Sequence, residues 1–345
     1  MRNIYDLTKE ELEEYFLSIG EKKFKALQIF SWLYVKKIDN FDLITDIKKD
    51  TIEKLKKDFY IGNISIQKIE RDKLVNKYLF KLSDSEYVES VLMMHDYGTS
   101  ICISSQVGCN MGCKFCESGR RKKVRDLTSG EMTEQILKVE NDIKCRITHV
   151  VIMGIGEPFD NYENVTKFIS IINEAKGLAI GSRHITVSTS GIVPKIKEFA
   201  DFPKEVNLAV SLHAPTNEIR NKIMPVNKAY KIEEVIDALK YYYAKTKRRI
   251  TFEYIMLDNI NDSEKDAKEL CKLLKGLNCY VNLIPYNETE NIEYKRSNDE
   301  KITKFYDIIK KSGITVTKRR EFGSNISAAC GQLRSKKEEI WKHFI

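Results

Sequence analysis

From residue 97 onward the chain alternates two kinds of segment, and that alternation restricts its fold more than any other feature. Six stretches read as buried strands: SICISSQ, HVVIMG, HITVST, VNLAVSLH, RITFEYIML and CYVNLIPYN. Between most of them lie amphipathic stretches with helical spacing, such as GEMTEQILKVEN, NVTKFISIINEAK, IEEVIDALKYYYAK and EKDAKELCKLLKG. Strands that are apolar throughout need cover on both faces, and returning helices supply it. A parallel sheet with right-handed crossovers follows. Six such units favour a barrel or part-barrel over an open sheet. Ligands then gather at the C-terminal ends of the strands, where this chain carries Gly154 to Glu157, Ser188 to Gly191, Ser211 to His213, and Asn287.

The preceding residues differ. The first sixty read as helices. Thr8 with Glu11 makes a capping box, with Phe16 and Leu17 on the apolar side and Gly20 as the stop. Phe24, Leu27, Phe30, Leu33 and Tyr34 mark a second helix, and Ile52, Leu55 and Phe59 a third. Lys22, Lys23, Lys25, Lys36 and Lys37 give this unit a basic coat. From about 62 to 95, alternation and β-branched or aromatic residues predict short antiparallel strands. The expected division is a helical unit 1–61, a β connector 62–96, an α/β core 97–335 and a tail 336–345. No apolar run approaches the roughly 20 residues that span a bilayer. The N-terminus turns acidic and polar where a signal peptide needs an apolar core. A soluble, cytoplasmic monomer without membrane contact is the expectation.

Eight cysteines punctuate the chain. In a reducing compartment each is a packed small side chain, a metal ligand or a reactive thiol. Cys109, Cys113 and Cys116 form C-x3-C-x2-C in the loop after the first core strand. Thiolates suit zinc or iron–sulfur clusters. A structural zinc site would want a fourth ligand, whereas three close thiolates suit a four-iron cluster with one iron left open. Phe115 is placed to shield such a cluster from water.

At these residues the chain resembles the radical S-adenosylmethionine (SAM) superfamily, and Gly154-Ile155-Gly156-Glu157-Pro158 resembles its GEP motif. The resemblance narrows along CISSQVGCNMGCKFC, MGIGEP, HITVSTSGIVP, AVSLHAPTNEIRNKIMPVNKAY, FEYIML, VNLIPYN and ISAACGQLR. In that order, and with the helical start EKKFKALQIFSWLY, they are similar to the RlmN/Cfr family of RNA adenine methyltransferases. The resemblance implies a partial (β/α)6 TIM-like radical SAM barrel, with a small N-terminal helical domain and a short β extension. It implies a [4Fe–4S] cluster on Cys109, Cys113 and Cys116. Around S-adenosyl-L-methionine it implies Gly156, Glu157, Ser188, Ser211, Leu212, His213 and Asn287.

The family's chemistry also implies roles for two further thiols. Cys330, in AACGQLR, matches the cysteine that first takes a methyl group; a deoxyadenosyl radical then removes hydrogen from that methyl, and the carbon radical adds to the adenine. Cys102 matches the thiol that resolves the protein–RNA adduct through a transient disulfide with Cys330. Glu89 matches the proton acceptor of the C2 enzymes. Taken alone, Cys102 and Cys330 read as packed hydrophobes and Glu89 as a solvated carboxylate. Cys145, Cys271 and Cys279 match nothing in the family.

The substrate implied is adenine C2 in 23S rRNA near the peptidyl-transferase centre, with the tRNA anticodon-loop adenine as a second. The alternatives are C8 methylation of that ribosomal adenine, with antibiotic resistance as its consequence, and a zinc-bearing RNA-binding protein without catalysis. A flavodoxin or ferredoxin is the implied electron donor. A net charge of +8 concentrates near the expected reaction centre. Arg120, Arg121, Lys122, Lys123 and Arg125 favour phosphate binding there, with the 318–320 run and Arg334 to Lys337 on the other side of Cys330. Two departures stand in the same loop. Glu117-Ser118 replaces the family's small or hydroxyl residues, and Asp126 replaces its asparagine.

Overall fold

The computed structural model describes residues 1–289, 291–319 and 332–333. Ten strands build one sheet: β1 (Ser65–Asp72), β2 (Val75–Lys81), β3 (Tyr87–His95), β4 (Gly98–Cys102), β5 (His149–Ile152), β6 (Ile185–Thr189), β7 (Asn207–Ser211), β8 (Ile250–Met256), β9 (Cys279–Pro285) and β10 (Thr315–Lys318). They lie side by side in chain order, with β1 and β10 at the edges. Pairing is antiparallel from β1 to β4 and parallel from β4 to β10.

The six expected core strands are β4 to β9. A seventh parallel strand, β10, follows a helix over Asp299–Lys311. Its sequence, TVTK, has a single buried position, Val316, so it lacks the apolar run that marks the others. The antiparallel strands continue the barrel's sheet, joined through the register Val91↔Cys102. The central parallel strands are covered on both faces. Ile185 and Val187 of β6, and Leu208, Ala209 and Val210 of β7, are all buried.

The helices that matter for the site are α1 (Lys9–Ser18), α2 (Phe24–Phe30), α3 (Lys49–Asp58), α4 (Ser129–Ile143), α5 (Tyr162–Asn173), α6 (Val193–Phe199) and α7 (Asn217–Ile223). The capping box at Thr8 and Glu11 forms as read, with bonds of 3.2 and 2.8 Å. Leu17 and Phe24, however, are half-exposed. Leu17 follows the buried Phe16, and one helical residue turns it about 100° away. At α2 the buried face is Ala26, Ile29 and Phe30 instead, and the helix continues into a wider π-type turn, Ser31–Val35.

This N-terminal unit shares one apolar core with the barrel. The seam is polar and specific. Glu134 on α4 accepts from Asn3 Nδ2 at 2.8 Å and from the Ile64 N–H at 3.0 Å. Asp6 Oδ1 accepts from the Gly130 N–H at 2.7 Å. Lys37 pairs with Glu140, and Lys167 with Glu11, each at 2.7 Å. Among the described residues no helix is long and apolar enough to cross a membrane.

Candidate active site

The strand ends converge where the sheet would hold a ligand. One cavity is lined by Cys109, Cys113 and Cys116 from the loop after β4, Gly156 and Glu157 after β5, Ser188 on β6, and Ser211 and His213 at the end of β7. Leu212 is not on that wall. Its side chain is in the main core, and its carbonyl accepts from Arg220 Nε at 3.1 Å. Asn287 is also absent from the lining, where β9 contributes Ile284 and Arg319 follows β10.

The cysteine loop is held from several sides. The Cys109 N–H donates to the Arg121 carbonyl at 2.9 Å, and the Lys114 N–H to the Ile223 carbonyl at the end of α7, also 2.9 Å. An apolar shell of Phe115, Ala214, Ile223, Met224, Ile255, Leu257 and Tyr286 packs beside Cys113 and Cys116. Burial pushes the Cys109 thiol up to about 12 and raises Cys113 well above the ordinary thiol range. Among the described residues no three His, Cys, Asp or Glu side chains gather closely enough to hold a single metal ion. The donor set is three soft thiols on one apolar-backed wall, and it fits a thiolate-bound iron–sulfur cluster.

The turn after β5 approaches the loop after β4 closely. Gly156 has φ of +112°, and a Cβ there would lie 2.7 Å from Gln106 Cβ. Only glycine meets both demands. Gln106 then stitches the two loops together. Its Oε1 accepts from the Glu157 N–H at 2.9 Å, while its Nε2 donates to Asp126 and Asp160. The Glu157 carboxylate, raised by burial, accepts from the Phe159 and Ser190 N–H groups at 3.0 and 2.7 Å, so it ties the end of β5 to the end of β6.

His213 has left-handed backbone, φ +58°, which non-glycine residues adopt rarely and mostly where structure enforces it. Its Nδ1 accepts from the Ile255 N–H at 3.0 Å. Burial, with Arg220 nearby, pushes its pKa down to about 3. The ring is therefore neutral, with its proton on Nε2. Phe115 meets it edge-on at 4.9 Å between ring centroids.

Glu89 and Cys102 lie one layer out. Glu89 and Val91 share a face of β3, and Val91 pairs with Cys102. Both are buried, Glu89 with Lys77 Nζ 3.7 Å from its carboxylate. Cys102 sits in an apolar cluster with Val75, Val91, Met93, Ile155 and Leu333, against Val151 and Met153. Met153 also lines the cavity. Cys330 and the 334–337 cations fall outside the described residues. Their neighbours Gln332 and Leu333 are placed, with Gln332 Nε2 donating to the Glu288 carbonyl at 3.2 Å.

The basic loop is less available than its charges suggest. Arg121 pairs with Glu86 at 2.7 Å, and Lys123 with Asp126 and Asp160, each at 2.9 Å. Arg125 makes a two-pronged bond to Glu131 and a third to Asp84. Three of the five cations are thus neutralised within the fold, by Asp126 and Glu131 nearby in sequence and by Glu86, Asp84 and Asp160 brought in from distant segments. Lys122 is exposed, and Arg120 binds the Asn291 carbonyl. The two departures are also paired: Glu117 is buried and accepts from Asn291 Nδ2 at 3.3 Å, and Asp126 accepts from Gln106.

Sequence reasoning did not single out Arg220, Glu253 or Gln106. Arg220 has no exposed surface, yet NEIRNKI reads as an ordinary amphipathic helix. Glu253 lines the cavity, accepts from Asn282 Nδ2 at 2.9 Å and is raised by burial. Its position inside an apolar strand, FEYIML, was the available signal.

A three-cysteine loop after the first strand of a parallel part-barrel, facing glycine and carboxylate at the next strand end, defines a radical SAM protein. Residues 103–271 match the Radical SAM superfamily model, and residues 2–61 match the ribosomal RNA large subunit methyltransferase N-terminal domain. The chain is 54% identical to the probable dual-specificity RNA methyltransferase RlmN of Acholeplasma laidlawii, over 96% of this chain and 98% of that protein. It is 51% identical to the like-named protein of Caldanaerobacter subterraneus, over 97% and 98%. A crystal structure of a radical SAM methyltransferase from Sphaerobacter thermophilus superposes with a TM-score of 0.93 at 40% identity, covering 97% of this chain and all of that one. The chain belongs to the RlmN family of radical SAM RNA methyltransferases. Its cofactors are a [4Fe–4S] cluster and S-adenosyl-L-methionine. Membership decides against the non-catalytic zinc reading.

Proposed function

We propose that this enzyme methylates C2 of an adenine in 23S rRNA near the peptidyl-transferase centre, and an anticodon-loop adenine in tRNA. Two RNA substrates agree with the "dual-specificity" in the relatives' names. Cys109, Cys113 and Cys116 hold the cluster. Gly156, Glu157, Ser188, Ser211, Leu212, His213 and Asn287 surround S-adenosylmethionine, Leu212 through its backbone. Together the two cofactors supply a hydrogen-abstracting radical.

The protein's own groups do the rest. Cys330 Sγ would take the methyl group of one S-adenosylmethionine, with S-adenosylhomocysteine as the leaving group, and after loss of one hydrogen atom that carbon would bond to adenine C2. Glu89 takes the C2 proton from the adduct. Once the adduct has also given up its unpaired electron, the Cys102 thiolate would attack the Cys330 sulfur and break its bond to the methylene carbon; the carbon would take up a proton to become the methyl group, leaving a Cys102–Cys330 disulfide. Residues 1–61 form an RNA-binding unit, and the base reaches the cavity splayed from its stack. A flavodoxin- or ferredoxin-type donor supplies electrons. The observation that carries this reading is the burial of Leu333, three residues after Cys330, in the apolar cluster of Cys102. Leu333 and Cys102 share that cluster, and Cys330 precedes Leu333 by three positions in the chain.

Mass spectrometry of nucleosides from rRNA and tRNA, with and without the gene, tests the reading. 2-Methyladenosine in both pools is the expected result. 8-Methyladenosine would overturn the C2 assignment. The Cys102→Ala enzyme should accumulate protein crosslinked to RNA, and absence of that adduct would remove the resolving role.

A further inference from the structure

Among the described residues Arg220 heads the large side chains with no exposed surface. Its guanidinium is fully engaged, and by neutral acceptors. Nε donates to the Leu212 carbonyl at 3.1 Å. Nη1 donates to Asn227 Oδ1 at 3.0 Å and to the Tyr230 carbonyl at 3.4 Å. Nη2 reaches the Ser211 carbonyl at 3.3 Å and also the Ser190 carbonyl. One planar group therefore joins the end of β6 to the end of β7, where Ser188, Ser211 and His213 face the cavity. Gly191 leaves room for this, since a Cβ there would lie 3.3 Å from Nη2.

The charge itself is the unusual part. A buried guanidinium costs several kcal/mol unless something anionic offsets it. Among the described residues Arg220 has no ion pair with a carboxylate. Two of its acceptors are carbonyls of Ser190 and Ser211, which line the same cavity as the three cysteines. The helix that carries Arg220 also holds the cysteine loop, through the Ile223 carbonyl and the Lys114 N–H. Arg220 is thus bonded directly to the strand ends and joined to the cysteine loop through its own helix.

We infer that Arg220 is a positioning residue that serves as the internal counter-cation of the iron–sulfur cluster and locks the β6 and β7 ends for S-adenosylmethionine. This rests on the assignment of the cluster to Cys109, Cys113 and Cys116. A fixed buried cation favours the more negative, reduced cluster, and net local charge is one of the levers on cluster potential. The planar fork sets strand-end geometry, which a lysine cannot reproduce. Charge and fork are therefore separable by substitution.

The test is potentiometric titration of the anaerobically reconstituted enzyme, followed by electron paramagnetic resonance, beside calorimetric binding of S-adenosylmethionine. Arg220→Gln should shift the cluster midpoint to more negative potential and weaken binding by about tenfold. Arg220→Lys should keep the midpoint while binding weakens. Asn227→Asp keeps the arginine but sets a carboxylate beside Nη1, and should shift the midpoint in the same direction as Arg220→Gln. It decides the matter if Arg220→Gln fails to fold. Wild-type midpoints in cluster-loaded Asn227→Asp or Arg220→Gln would overturn the inference, as would equal shifts in the Lys and Gln variants. Wild-type protein that takes up no iron would instead remove the cluster assignment, and this inference with it.

Discussion

Ser118 Oγ donates a 3.0 Å hydrogen bond to the carbonyl of Leu333, from the cysteine loop to a residue 215 positions later in the chain. The bond ties the cysteine loop to Leu333, three positions after Cys330 in the chain. Ser118→Ala leaves a buried carbonyl without this donor and should cost about 1 kcal/mol. Because Ser118 also lines the cavity, S-adenosylmethionine affinity should fall slightly, while the proposed single-turnover methylation of Cys330 should slow by a larger factor. Unchanged turnover would show that this anchor does not position the thiol.

His213 carries a pH signature. Its folded pKa lies well below the usual imidazole value. Above pH 6.5 both folded and unfolded forms are neutral and its contribution to stability is intact. As pH falls from 6.5 towards 3, the unfolded chain takes up a proton that the folded site refuses, and that contribution is lost. His213→Asn, whose Oδ1 can accept from the Ile255 N–H, should therefore melt closer to wild type at pH 7 than His213→Ala, and should lose less stability in acid than wild type. Thermal melts from pH 4 to 8 read this directly; parallel curves for all three proteins would contradict it.

Glu134 gives the opposite slope. Burial at the N-terminal seam raises its carboxyl to about 7. Its contribution is greatest below the ordinary carboxylate pKa and is lost as pH rises through 7, because the unfolded chain gives up that proton more readily. Between pH 5 and 8 wild type should lose stability relative to Glu134→Gln. The measurement is the difference in melting temperature across that window, and a constant difference would refute the claim.

At Gly156 the conformation and the Gln106 contact exclude a side chain. Gly156→Ala should destabilise the fold by about 1–3 kcal/mol and abolish detectable binding of S-adenosylmethionine. Gln106→Gly removes the Cβ and Cγ that a side chain there would meet but not the positive φ, so the double variant should recover only part of the stability. Full recovery would mean that crowding alone dictates the glycine.

The sequence made the parallel strands readable because burial on both faces leaves apolar runs. It hid β10, where an edge strand has one buried residue. The cysteine loop and the glycine turn were legible from spacing alone, since their chemistry is local. The pairing of Arg121 with Glu86 and of Arg125 with Asp84 and Glu131 was not. A run of cations looks the same whether its partners come from the fold or from RNA, and the acids here are brought in by β2–β3 and α4. Arg220 was hidden for the same reason, since a helix's polar face turns inward only when a neighbour offers carbonyls.

Strand order along the sheet matches strand order along the chain, without exception from β1 to β10. Each strand therefore finds its partner already made when it leaves the ribosome, and the sheet can grow from one edge as translation proceeds. The cysteine loop emerges early in that sequence, but two other lining residues, Ile284 and Arg319, come only with β9 and after β10. Until those residues arrive the cavity lacks part of its lining, so its complete wall is a product of the last strands and not of the cysteine loop alone.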